Sequence, residues 1–388
     1  MQLMELFLSQ GWSVAFACAA GESEYRSDFE QMGVSRHCIE LNKSSFDEFV
    51  KQLQPTLVVF DRFTLEEQFG WRVAEACPDA LRVLDTIDLH CLRLARHATL
   101  KEKREFTLND LMSDTAKREL ASIYRCDVSV MISDHEMELL QQFFKVDAAL
   151  LHYTPFLFDP LSDAEINAWP GFAARQHFMT IGNFLHEPNW DAVLYLKHEI
   201  WPLIRRQLPK SELHVYGAYP SQKVFQLHNA KEGFLIKGRA DSASEVMQRA
   251  RVCLAPLRFG AGIKGKLTDA MQNGTPSVTT DIGAEAMHGS FAWNGAVENE
   301  PAAFADVAVQ LHQNEALWKH SQQRAIPIIN QFFSKEKHGQ LLLEKLLITQ
   351  NNLKQHRLNN FTGAMLMQQT VSATKYMSLW IETKNKLM

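Results

Sequence analysis

Short apolar runs of three to six residues recur along the whole chain, each followed by a longer amphipathic stretch. In the first half they are Ser13–Cys18, Thr56–Phe60, Leu81–Leu84, Val128–Ile132 and Ala148–Leu151. In the second half they are Phe178–Ile181, Glu212–Tyr216, Phe234–Lys237, Val252–Ala255 and Ser277–Thr279. Such runs, apolar on both faces, suit strands of a parallel sheet covered by helices on both sides. Helical periodicity fills the intervals at Ser45–Leu53, Thr64–Cys77, Trp190–Leu208 and Ala243–Ala250. Alternation of this kind predicts doubly wound α/β sheets.

The segment "PFLFDPLSDAEINAWPGFAARQ" interrupts the alternation with Pro155, Pro160, Pro170 and Gly171. It reads as a linker between two domains. The expected organisation is a Rossmann-like domain over 1–157, a linker over 158–176, a second domain over 177–345 and a helical tail over 346–388. Ligands of open α/β sheets bind beyond the carboxyl ends of the strands, so a cleft between the domains is the expected site. The first ten residues already read as a helix, with Leu3, Leu6 and Phe7 on one face. The strand and glycine-rich turn that normally open such a domain are therefore missing, which implies a different start or an absent true N-terminus. In the tail, Tyr376 and Trp380 share a helix face and need a surface to cover them; packing back on the first domain is one option, a partner the other.

Composition narrows the function classes. The net charge of -5 argues against a dedicated nucleic-acid binder. No apolar stretch reaches membrane-spanning length. The apolar start carries Glu5 and no basic region, which argues against a secretory leader and for a cytoplasmic protein. Six cysteines are scattered without a C-x-x-C pair, so neither a zinc site nor a disulfide framework is expected, and buried reduced thiols are.

One stretch carries chemistry: "RFGAGIKGK" at Arg258–Lys266, followed by "LTDAMQNGTPSVTTDIGAEAM". The spacing of Gly260, Gly265 and Lys266 fits most of a P-loop, but Leu267 stands where magnesium needs a Ser or Thr hydroxyl. The physics of the loop survives that exclusion. Small residues let backbone approach a ligand closely, a helix N-terminus favours an anion, and Lys264 and Lys266 add full charges. A diphosphate suits this place. Asp269 follows on the same helix, and a second small-residue turn, Asp281–Met287, follows the next strand.

The segment "APLRFGAGIKGKLTDAMQNGTPSVTTDIGAEAM" resembles the donor-binding region of GT-B glycosyltransferases, specifically the large retaining group called family 4. Upstream "IGNFLHEPNWDAVLYLKHEIWPLI" and "LHVYGAYP" match the same family, and the likeness is strong over Phe178–Met287. In the first half "VLDTIDLHCLRLARH" and "CDVSVMISDHEMELL" resemble it more loosely. The resemblance implies a GT-B fold of two Rossmann-like domains facing a cleft, with a C-terminal helix that can pack back on the first domain. It further implies a nucleotide-sugar donor held mainly by the second domain and an acceptor (glycan, lipid or small molecule) held by the first. No metal and no cofactor are implied, and peripheral membrane association is a further option. Donor contacts fall on Gly182, Asn183, Gly260, Ala261, Gly262, Lys264, Lys266, Asp269, Gly283 and Glu285. Asp269 takes the place of the second glutamate of the family's E-x7-E pattern; Ala261 takes that of the first, and Asn183 that of an arginine.

Asp88 and His90, at the carboxyl end of the strand Leu81–Leu84, are the catalytic candidates; Asp88 as a helix cap is the equal alternative. Arg93 and Arg96 read as a solvated basic face, with an anionic acceptor as the lesser reading, and Ser133 with Glu136 as a capping box. Glu285 is assigned to a sugar hydroxyl or to a surface cap. The reading is sugar transfer from a nucleotide-diphosphate sugar, with retention. The alternatives are a sugar-nucleotide epimerase of the same architecture and a non-catalytic binding protein.

Overall fold

The computed structural model describes residues 1–21, 29, 31–368 and, further on, 377, 380, 381 and 384. Helix α1 (Gln2–Ser9) leads into strands β1 (Ala15–Cys18) and β2 (Ser35–Cys38). Then follow α2 (Ser45–Leu53), β3 (Leu57–Asp61), α3 (Phe63–Ala76), β4 (Leu81–Asp85), α4 (His90–Glu102), α5 (Asp114–Arg125), β5 (Val128–Met131), α6 (Asp134–Gln142) and β6 (Leu151–Tyr153). Strands β3 to β6 form a four-stranded parallel sheet in chain order, whereas β1 and β2 pair only with each other. Both faces of the larger sheet are covered, as its apolar runs require. Leu81, Val83, Val128 and Val130 pack on one side with Leu6 and Phe7 of α1. Leu84 and Met131 join the helices on the other.

The proline-punctuated connection contains a short helix, α7 (Asp163–Ala168), closed by a reciprocal cap between Ser162 and Glu165. The second sheet is built from β7 (His177–Ile181), β8 (Leu213–Tyr216), β9 (Phe234–Gly238), β10 (Ala250–Ala255), β11 (Ser277–Thr279) and β12 (Gly295–Val297). Its helices are α8 (Glu187–Tyr195), α9 (Trp201–Gln207), α10 (Gln222–Phe225), α11 (Ala243–Arg249), α12 (Gly265–Gln272) and α13 (Asp281–Ala284). All six strands are parallel, in the order β12-β11-β10-β7-β8-β9. Trp201 is fully buried in this core, while Trp190 packs at its margin, partly buried.

Helices α14 (Pro301–Gln313) and α15 (Glu315–Pro327) complete the second half; α16 (Lys335–Asn351), α17 (Leu353–Asn359) and α18 (Phe361–Met367) return to the first. Leu342 and Leu346 of α16 enter the cluster formed by Leu81, Val83, Val128 and Val130. The Arg357 guanidinium grips both carboxylate oxygens of Asp127 at 2.8 Å, and Asn360 Nδ2 donates to the Tyr124 carbonyl at 2.7 Å. The return thus packs on the first domain. Tyr376 lies outside the described residues, and Trp380 is exposed.

Several expectations shift. Ala148–Leu150 is a 3-10 turn rather than strand, because the Asp147 carboxylate accepts the Ala149 N–H and closes it; the strand starts at Leu151. β2 and β12 carry no apolar signal strong enough to read. Four cysteines are buried, but Cys18 and Cys38, opposite each other in the β1–β2 register, are not. Among the described residues no helix is long and apolar enough to cross a membrane.

Candidate active site

From β7 the chain moves outward to β8 and β9, then crosses back so that β10 lies on the other side of β7. This reversal opens a crevice beyond the carboxyl ends of β7 and β10, where open α/β sheets bind ligands. A cavity of about 300 Å³ lies there. One wall is the segment after β7, with Ile181, Gly182, His186 and Asn189; the other follows β10, from Leu257 to Lys266, with Asp269 on α12. Gly265 and Lys266, the first residues of α12, line it, so the positive end of that helix faces the cavity.

Both lysines are held without an exposed ammonium. Lys266 Nζ donates to Asn189 Oδ1 at 2.7 Å, and burial brings its pKa down to about 8. Lys264 Nζ donates to the Gly262 carbonyl at 2.6 Å, and burial lowers its pKa as well, against the pull of Glu285 and Glu136. Burial pushes the Asp269 carboxyl up. Two desolvated amines beside a helix N-terminus make a cavity that favours an anion of more than one charge.

The first domain closes over the loop. Arg96 Nη1 donates to the Gly260 carbonyl at 2.9 Å, and the same guanidinium pairs with both oxygens of Glu285 at 2.8 and 2.7 Å. His97 stacks on Phe259 with ring centroids 4.2 Å apart. Arg93 Nη1 lies 3.0 Å from Asp88 Oδ2 and donates to His186 Nε2 at 3.2 Å. The two arginines are therefore not a solvated basic face, since their side chains are only 19% and 10% exposed. Apart from Asp88, these partners, His186, Gly260 and Glu285, lie in the other half of the chain, out of reach of a local reading.

Of the sequence-derived donor residues, Gly182, Gly260, Ala261, Lys264, Lys266 and Asp269 line the cavity. Asn183, Gly262, Gly283 and Glu285 stand behind it. Asn183 Oδ1 accepts the Leu185 N–H, closing the turn. Gly283 is seated where a Cβ would lie 1.8 Å from Thr279 Oγ1, so only glycine fits this second turn. Glu285 is neither a surface cap nor a cavity residue; it is a partly buried partner of Arg96. Asp88 and His90 are not among the lining residues. Asp88 does not cap α4, whose N-cap is Leu89, and the His90 ring Nδ1 lies 3.1 Å from Glu119 Oε1. Ser133 caps α6 as read, accepting the Glu136 N–H at 3.3 Å. Glu136 does not complete the box: its Oε1 accepts the N–H groups of Gly262 at 2.6 Å and Leu89 at 3.2 Å. His186 and Asn189, in "HEPNW", were carried by no chemical signal and emerge only from the topology. No group of three or more His, Cys, Asp or Glu residues is arranged to hold a metal among the described residues.

Residues 175–314 match the family model of glycosyl transferases group 1. A comparison with curated protein sequences finds no match. Among solved structures the chain is similar to S. aureus TarM, crystallised with fondaparinux, alpha-GlcNAc-glycerol and UDP, at TM-score 0.58 and 15% identity. The match covers 79% of this chain and 58% of TarM, so the chain spans little more than half that protein's length. Anabaena HepE in complex with UDP and glucose gives TM-score 0.66 at 13% identity over 89% of this chain and 94% of HepE. Sucrose-phosphate synthase from Thermosynechococcus elongatus gives 0.65 at 15% over 90% and 92%. Likeness in fold across nearly the whole chain and a sequence match across the cavity-bearing half coincide: the chain has the GT-B fold, and its residues 175–314 match the model of glycosyl transferases group 1.

Proposed function

We propose that the protein transfers a sugar from a nucleotide-diphosphate sugar to an acceptor, with retention and without a metal. The carrying observation is the pair of lysines at the N-terminal end of α12 in the cavity, Lys264 buried and Lys266 half-buried. Chemically, the bond from the anomeric carbon to the diphosphate oxygen breaks, and the departing diphosphate gathers negative charge. Fixed donors aimed at that charge, in a site shielded from water, stabilise the transition state more than the ground state. Lys266, Lys264 and the helix end supply those donors, and Asp269 is placed for the nucleotide ribose. The acceptor approaches from the first domain, across the closure made by Arg96 and Glu136. UDP is the diphosphate in the TarM and HepE complexes and is the probe of choice. An epimerase would need acid–base groups inside the cavity; Asp88 and His90 do not line it, whereas His186 and Asp269 do, so the two readings part on whether a free epimer is released.

The test is ligand-dependent stability. UDP at a hundredfold excess over its Kd should stabilise the native state by about 2.7 kcal/mol by mass action. Thermal melting against a panel of nucleoside diphosphates and nucleotide sugars, followed by assay for hydrolysis of any sugar that binds, measures it. A flat panel and no hydrolysis would remove the donor assignment; release of a free epimer would replace transfer by epimerisation.

A further inference from the structure

We infer that Glu136 is the positioning residue of the donor seat: its carboxylate, from the first domain, holds the N–H of Gly262 and so sets the peptide on which Lys264 is anchored. This rests on the diphosphate reading of the cavity. Glu136 is fully buried on the first turn of α6 and belongs to no surface pair. Its Oε1 receives Gly262 N–H at 2.6 Å and Leu89 N–H at 3.2 Å, while Oε2 has no hydrogen-bond partner. The next peptide group continues the chain of contacts, since the Gly262 carbonyl accepts Lys264 Nζ at 2.6 Å. One carboxyl group thus fixes the peptide before the Gly262 Cα, and the peptide after it fixes an ammonium at the cavity.

The approach is built for this. Gly262 has φ +63°, and a Cβ there would lie 2.9 Å from both Asp88 Cβ and the Ile87 carbonyl. Only glycine lets the loop come close enough for Glu136 to reach its N–H. Through Leu89, the N-cap of α4, the same oxygen holds the start of the helix that carries Arg96, and Arg96 takes the Gly260 carbonyl two residues from Gly262. The loop's backbone is therefore gripped at two successive points by groups from the other domain. Burial and the neighbouring Asp88 push the Glu136 carboxyl well above the usual carboxylate range, so the grip on Gly262 N–H rests on the short, fixed geometry of a bond shielded from water rather than on a full charge. In an open cleft Gly262 N–H and the Lys264 anchor would lose this constraint, so the seat acquires its shape on closure.

The experiment compares Glu136→Gln, which keeps a carbonyl acceptor, with Glu136→Ala, which keeps none, and with Gly262→Ala, which pushes the loop off the first domain and leaves Glu136 intact. Hydrogen exchange of the loop around Gly262 is read without ligand, and UDP affinity by calorimetry well below the melting temperature. Exchange should accelerate at least tenfold in Glu136→Ala and Gly262→Ala and stay near wild type in Glu136→Gln. UDP affinity should fall about tenfold in each of the first two, with no further fall in the double variant, because both break one linkage. Unchanged exchange in Glu136→Ala, or Glu136→Gln as defective as Glu136→Ala, overturns the inference; so does a multiplicative double variant. A merely structural role would lower the melting temperature and leave the affinity of the folded protein unchanged. If wild type binds no UDP while the exchange pattern holds, the diphosphate reading fails and the positioning of the loop stands. Should Glu136→Ala not fold, Gly262→Ala and Glu136→Gln carry the exchange comparison, and equal exchange in the two overturns it.

Discussion

Lys266→Ala should lower the affinity for UDP by about two orders of magnitude while leaving the protein at least as stable at neutral pH. The two halves of this outcome have one cause. Lys266 is half-buried at the cavity, where its ammonium rests on the neutral Asn189 side chain at 2.7 Å. Removing an ammonium that would bond a phosphate oxygen costs about 1.5–3 kcal/mol, and 1.4 kcal/mol is tenfold in Kd. In the ligand-free protein the same ammonium is desolvated, so its removal relieves a penalty. Calorimetric titration with UDP and thermal melting together check it; retained affinity would remove Lys266 from the seat. By contrast, Lys264→Ala should also disturb the loop, because its Nζ is a structural anchor for Gly262.

A pH dependence follows from the same burial. Free Lys266 has its pKa lowered from 10.5 to about 8, so it is neutral in the ligand-free protein above that pH. A bound diphosphate restores the charge, and binding must take up a proton. Affinity for UDP should therefore be level below pH 8 and fall above it, by up to about tenfold per pH unit for each lysine that titrates. Calorimetry at pH 9 in two buffers of different ionisation enthalpy reads the proton uptake directly. For the ligand-free protein the sign is opposite. The unfolded lysine holds its proton up to about 10.5, so this group's contribution to stability rises between pH 8 and 10.5.

The largest effect on stability should come from Arg175→Ala. This guanidinium is fully buried, with no carboxylate among its hydrogen-bond acceptors. It donates to the carbonyls of Pro170, Met247, Ala250 and Asn273 and to Thr275 Oγ1, and lies 5.3 Å from the Trp318 ring centroid. Burial brings its pKa down to about 10, still well above neutrality. It thereby ties the incoming connection to β10 and to the end of α12. Alanine would leave several buried carbonyls unmet and a cavity behind, a loss of about 4 kcal/mol or more. In a domain of this size that is roughly 8–16 °C in Tm. Arg175→Lys should recover little, because three donors at one point cannot reach acceptors spread around a planar fork. Melting curves of the two variants settle it, and a drop of only a few degrees would contradict the assignment.

How far the sequence could be read depended on where each partner lay. The strands of the second sheet announced themselves because parallel strands buried on both faces must be apolar throughout. β2 did not, because "SRHC" is mostly polar and none of its four residues is buried, and β12 is three small residues long. The lysines of the loop were legible from local spacing and charge. Glu136, Arg96 and Glu285 were not, for a physical reason. Their partners across the cleft are 126 to 189 residues away, so the helix-cap and solvated-face readings were the best that neighbours alone could support. His186 and Asn189 needed the strand order, since only the reversal between β7 and β10 brings their loop beside α12.

The separation of β1 and β2 from the larger sheet has a consequence for the first domain. One six-stranded sheet would have two edges; a pair and a quartet have four. Each edge is a row of peptide groups that seek a partner, and a two-stranded sheet has little else to hold it. Of the two strands, β2 carries Arg36 and His37, side chains that discourage another strand from adding on. The other, "AFAC", carries no charged side chain. Among the described residues, β1 is therefore an edge open to strand addition, by its own kind or by another chain, and one that added charge would protect from association.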